Sequence, residues 1–118
     1  KEAQQLGEPA LVSRATLALA KALLAAGDEA RAAELALQSQ ARFAAAGQKE
    51  SEWRAWLVAA RSSRAAGDEA RAREQSAHAE SALSGLQQQW GAESFNSYLA
   101  RPDVRLSRKH LDQLSGRP

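Results

Sequence analysis

Apolar side chains recur at helical spacing from the first residues that show any pattern. Leu11, Ala15, Ala18, Ala22 and Ala25 fall on one stripe, with Leu19 and Leu23 beside it, which predicts a helix turning that stripe toward a core. Glycine and acid punctuate the rest of the chain. Gly27-Asp28 and Gly67-Asp68 read as tight turns, because glycine closes a helix in the left-handed conformation and the aspartate caps the next one. Pro9 suits a first turn, Gly47 ends the second helix, and Ser51 or a neighbour can cap the third. The predicted helices are 8–26, 28–46, 50–66 and 68–89. Helix four is polar, with Glu74, Gln75, Ser76, His78, Glu80 and Ser81, so one of its faces is expected to be wet. After Trp90-Gly91 a short helix over 93–100 should bury Phe95, Tyr98 and Leu99. Pro102 ends it. Asp103 then caps a last helix, reaching about Leu114, with Val104, Leu111 and Leu114 inward.

Laid over itself at an offset of 40 residues, the chain repeats. Arg14-Ala15, Leu17 and Ala20 match Arg54-Ala55, Leu57 and Ala60, and Ala25-Ala26-Gly27-Asp28-Glu29-Ala30-Arg31-Ala32-x-Glu34 recurs from Ala65 to Glu74, giving thirteen identities in 21 positions. A period of this size is that of stacked helical hairpins, each of which has an apolar face that only its neighbour can cover. The chain therefore reads as one all-α domain, 1–118. It holds repeat one at 8–46, repeat two at 50–89, and a C-terminal capping unit at 92–115 that covers the last repeat.

The repeated A-x-G-D-E-A-R-A-x-E block, with Trp56 eleven residues before its glycine, resembles the tetratricopeptide repeat in its longer bacterial form of about 40 residues. The family's packing roles would fall on Trp56, Ala60, Gly67 and Ala72, and on Thr16, Ala20, Gly27 and Ala32 in the first copy. Thr16 replaces the usual aromatic, and no proline follows the second helix. The segment Trp90-Gly-Ala-Glu-x-Phe to Val104 also resembles the closing segment of repeat arrays in bacterial signalling and regulatory proteins. The resemblance implies a right-handed α-α superhelix of antiparallel hairpins. It further implies a protein-interaction region at the C-terminal end of a larger chain, and the opening at Lys1, already in mid-pattern, is what an excised fragment would show.

Composition agrees with helices. Alanine supplies 28 residues and the β-branched side chains are four, Val12, Thr16, Val58 and Val104, so there is little material for strands. The small net charge hides an asymmetry: residues 1–98 carry eleven Lys/Arg against twelve Asp/Glu, and residues 99–118 carry five against two. The absence of cysteine removes disulfides and thiolate chemistry and suits a cytoplasmic protein. No apolar stretch is long enough to span a bilayer.

Catalytic and cofactor motifs are missing from the sequence. There is no phosphate-binding glycine loop, and His78 and His110 lack the spacing of a metal pair. No cofactor, metal or reaction is expected. Trp53 and Trp56 lie one turn apart on the third helix; Trp56 matches a packing position, whereas Trp53 reads equally as core filler and as an aromatic anchor for a partner. Arg54, Arg61 and Arg64 beside them are candidates for pairing with an acidic peptide. Arg101, Arg105, Arg108 and Lys109 share one side of the last helix and are candidate phosphate contacts, although without interleaved aromatics a solvated face is expected. The reading is a scaffold that binds a protein or peptide. The alternatives are a nucleic-acid-contacting module using the basic last helix, and a homodimerising one.

Overall fold

The computed structural model describes residues 2–116, with side chains for residues 11–116. Six helices succeed one another: α1 Glu2–Ala25, α2 Glu29–Ala45, α3 Lys49–Ala65, α4 Glu69–Trp90, α5 Ala92–Leu99 and α6 Pro102–Leu114. No strand occurs among the described residues. α1 begins six residues earlier than the sequence pattern predicts, which places Pro9 inside the helix and not in its first turn.

Three turns have one construction. Gly27, Gly47 and Gly67 stand at φ of 89°, 72° and 88°. Around each, the glycine N–H and that of the next residue reach back to the helix just ended, as in Asp28 N to Leu23 O at 2.8 Å and Asp68 N to Ser63 O at 2.9 Å. This is the glycine-terminated C-cap that satisfies otherwise orphaned carbonyls. Asp68 accepts from Arg71 N at 3.1 Å and Asp28 from Arg31 N at 3.5 Å, so both aspartates cap as expected. Two other caps need correction. Gln48, not Ser51, is the N-cap of α3, and it makes no side-chain cap bond. Arg101 is the N-cap of α6, with Pro102 in its first turn, and the Asp103 carboxylate is engaged elsewhere.

Cross-helix contacts mirror each other about these turns. Ser39 donates to Ser13 O across Gly27, Gln40 to Glu52 across Gly47, and the Trp56 ring stacks on His78 across Gly67. Successive helices from α1 to α4 are therefore antiparallel neighbours. α6 lies parallel to α3, since Arg54 meets Asp103 and Arg64 meets Gln113 at a constant separation along both helices.

Small side chains allow this close packing. Ala20, Ala36, Ala55, Ala59 and Ala60 are all fully buried. One apolar cluster joins α1, α2 and α3 through Leu17, Ala20, Ala36, Phe43, Ala55, Val58 and Ala59. A second joins α3 and α4 to the capping helices through Trp53, Leu57, Leu83, Leu86, Phe95, Tyr98, Val104 and Leu111. The inward residues expected of the capping unit are in place, with Leu99 half-buried. α4 is wet along Glu74, Ala77, His78 and Ser81, yet it buries Gln75, whose side-chain oxygen accepts from Ser63 at 2.6 Å.

The stripe of α1 expected to face the core faces the other way. Among the described side chains of this helix the buried ones are Ser13, Leu17 and Ala20, while Leu11, Ala15, Ala18, Leu19, Ala22 and Ala25 lie on its outer side. α1 is apolar on two faces, and the periodicity of the second could not reveal that no described element lies against it.

Candidate functional site

α3 carries a row of side chains seven residues apart, two full turns on one face: Arg54 and Arg61. The 40-residue repeat places Arg14 and Lys21 at the same positions of α1. Beside them, α6 contributes Asp103, with Arg101 just before it. These groups line a trough floored by α3, with α1 as one wall and α6 as the other. At one end is a cavity of about 310 Å³ lined by Arg14, Leu17, Lys21, Glu50, Arg54 and Asp103, among others; at the other is one of about 330 Å³ where Arg61 and Arg64 face His110 and Gln113.

The cations differ in how they are neutralised. Arg54 is engaged on both sides, its Nε 2.7 Å from Glu50 Oε2 and its Nη2 3.1 Å from Asp103 Oδ2. That guanidinium, and the Arg101 charge after it, hold the Asp103 carboxyl below its usual range. Lys21, Arg14 and Arg61 have no ion pair or hydrogen bond among the described residues. Lys21 keeps solvent access, yet burial of its amine and then the Arg54 charge lower its pKa, against the pull of Glu50 and Asp103. His110 is likewise lowered, by burial and then by Arg61.

Several candidates have other work. Trp53 cannot anchor a partner: its side chain is 0 % exposed, and its Nε1–H donates to the Tyr98 hydroxyl at 2.9 Å, which in turn donates to Glu50 Oε2 at 2.7 Å. Indole burial and a satisfied N–H make it the centre of the second cluster. Trp56, expected inside, is only half-buried and stacks on His78 with ring centroids 4.4 Å apart. Arg54 and Arg64 grip the two ends of α6, Arg54 through Asp103 and Arg64 through a 3.2 Å bond to the Gln113 carbonyl in the last turn. Each charge sits where the helix dipole favours it, the acid near the N-terminus and the cation at the C-terminus. Arg64 also meets Glu69 at 3.3 Å.

The basic tail is partly cancelled. Arg101 pairs with Asp103 and Arg108 with Asp112, each at 3.3 Å, which leaves Arg105 and Lys109 exposed on α6. Arg14 and Lys21 were missed by sequence reasoning, although the same offset that aligned the glycines also aligns them with Arg54 and Arg61.

Among the described residues no cluster of three His, Cys, Asp or Glu is placed to hold a metal ion, and no helix is long and apolar enough to cross a membrane. No protein-family model, curated protein or solved structure matches the chain.

Proposed function

We propose that the chain is a polypeptide-binding scaffold that takes up an acidic segment of a partner protein along the trough floored by α3, and that it acts by binding alone. The carrying observation is the two-by-two array Arg14, Lys21, Arg54 and Arg61, at repeat-equivalent positions and, among the described residues, with an ion-paired acid only at Arg54. With Arg101 and Arg64 the trough has six cations against Glu50, Asp103 and the Glu69 that pairs with Arg64, an excess of three. Such an excess over a partly desolvated surface attracts an anionic chain and sets its register. The two hairpins and their cap fit the tetratricopeptide-like superhelix suggested by the repeated Gly-Asp-Glu-Ala-Arg-Ala block. In this reading the chain is the C-terminal repeat region of a larger bacterial signalling or regulatory protein of the cytoplasm. Nucleic-acid binding by α6 has less support, because Asp103 and Asp112 occupy two of its four cations.

The test is a fluorescence-anisotropy titration with a labelled Glu/Asp-rich helical peptide, a neutral control and a single-stranded oligonucleotide. Lys21→Glu combined with Arg61→Glu should weaken the acidic peptide about tenfold or more, at low salt above all, and leave the melting temperature nearly unchanged. Equal binding of acidic and neutral peptides, or indifference to both reversals, refutes the reading. Preference for the oligonucleotide transfers it to phosphate recognition.

A further inference from the structure

Among the described residues, the outer strip of α1 gathers three of the five exposed large apolar side chains. Leu11, Val12 and Leu19 are 62 %, 51 % and 49 % exposed, and Ala15, Ala18, Ala22, Ala25 and Ala26 lie among them. No polar side chain interrupts the strip, and a continuous patch of this kind marks a surface that another element covers.

The internal repeat says which element. Shifted by 40 residues, the inner positions Ser13, Leu17 and Ala20 become Trp53, Leu57 and Ala60, and in both helices this face packs on the helix that comes next. The outer positions Ala15, Ala18, Leu19 and Ala22 become Ala55, Val58, Ala59 and Ser62, all buried in α3, where Ala55, Val58 and Ala59 share a cluster with Ala36 and Phe43 of α2. The exposed strip of α1 is thus the face with which α3 receives the helix before it. The opposite end of the array is closed. There α5 and α6 cover the end of the second hairpin, with Ser115, just past the last turn of α6, bonded to Glu80 of α4.

We infer that the outer strip of α1 is the seat of the second helix of one further hairpin of this repeat, covering α1 as α2 covers α3. The occupant is an amphipathic helix with small residues along its centre and a recess for Leu19, which stands where α3 has the smaller Ala59. Its rim is acidic or neutral, because residues 11–27 hold Arg14 and Lys21 and no acid. The same charges oppose a second copy seated strip to strip, which would bring four cations of α1 together with no acid from either strip. Head-to-tail stacking of copies is blocked by α5 and α6. The strip borders the trough at Arg14, Ala18 and Lys21, but the helix that covers it is a different occupant from the acidic segment proposed for the trough.

The chain has no cysteine, so Leu19→Cys gives a single thiol on the strip. Its reactivity with a disulfide reagent is compared in the chain alone and after a copy of residues 9–48 is fused ahead of residue 9. The near-ultraviolet signal of Trp53, Trp56 and Trp90 reports whether the parent fold is intact. Protection of about tenfold or more in the fusion, abolished when the fused copy carries Ala36→Asp and Leu37→Asp on its α2 face, is the expected result. Equal reactivity with and without the fused hairpin overturns the inference. So does protection in the unfused chain that grows with protein concentration, since that result assigns the strip to a second copy.

Discussion

Tyr98 accepts a hydrogen bond from Trp53 Nε1 and gives its own proton to Glu50, so one hydroxyl joins α5 to two positions of α3. Trp90 meets the same ring edge-on at 5.1 Å, and the Arg101 guanidinium lies 5.7 Å from its centroid. Replacing Tyr98 by Phe keeps the ring but leaves a buried indole N–H without an acceptor, a loss of about 1–3 kcal/mol, measurable by urea unfolding. Burial, and then the bond to Glu50, raise the phenol pKa above its ordinary value of 10.0. The unfolded chain therefore releases this proton first as pH rises. The contribution is complete below about pH 10 and is lost as pH climbs through the folded value. Between about pH 9 and 11 wild type should lose stability more steeply than Tyr98→Phe; parallel curves would contradict the assignment. At this scale the sequence showed that Phe95 and Tyr98 turn inward, but it placed Trp56 inside and left Trp53 open between core and anchor. Both tryptophans sit one turn apart on a helix buried from two sides, and the deciding partner, Tyr98, is distant in sequence.

The helices and turns were the most legible elements. Glycines at 27, 47 and 67 stop three helices because each backbone is left-handed, a conformation that costs other residues about 1–2 kcal/mol. A Cβ added at Gly67 would meet no atom within 4 Å, so only the backbone opposes it. Gly85 is the opposite case, lying inside α4, where a Cβ would come 3.1 Å from the flexible Lys49 side chain. Gly67→Ala should lower stability by about 1–2 kcal/mol, while Gly85→Ala should raise it by about 0.5–1 kcal/mol as backbone entropy is reduced. Thermal melts showing the same sign for both would mean that space, and not backbone geometry, governs these positions.

At the scale of the whole molecule, α6 closes the array, and its attachment can be traced to a few side chains. Arg54 and Arg64 fasten its ends, and Val104, Leu111 and Leu114 seat it against the second cluster. Arg64 is partly exposed, and an exposed bond of this kind contributes modestly. Arg64→Ala should therefore speed amide exchange in the last turn of α6 several-fold while leaving α2 unchanged. Uniform acceleration through all helices would instead show that the cap and the hairpins open as one cooperative unit.

The sequence alone determined that this is an all-helical chain, where its helices break, and that its first two hairpins are copies, because alanine content, glycine-acid turns and a 40-residue offset are local or translational signals. It also marked the inward residues of the capping unit, where Val104, Leu111 and Leu114 recur at helical spacing on one side of α6. Only the tertiary structure decided which face of α1 is covered, that Trp53 is core, and that Arg54 and Arg64 hold α6 while Arg14 and Lys21 have no ion pair among the described residues. Each of these depends on what lies across a helix interface. Spacing along one helix places a side chain on a face; the packing of the neighbouring helices decides whether that face meets a partner, an ion pair or water.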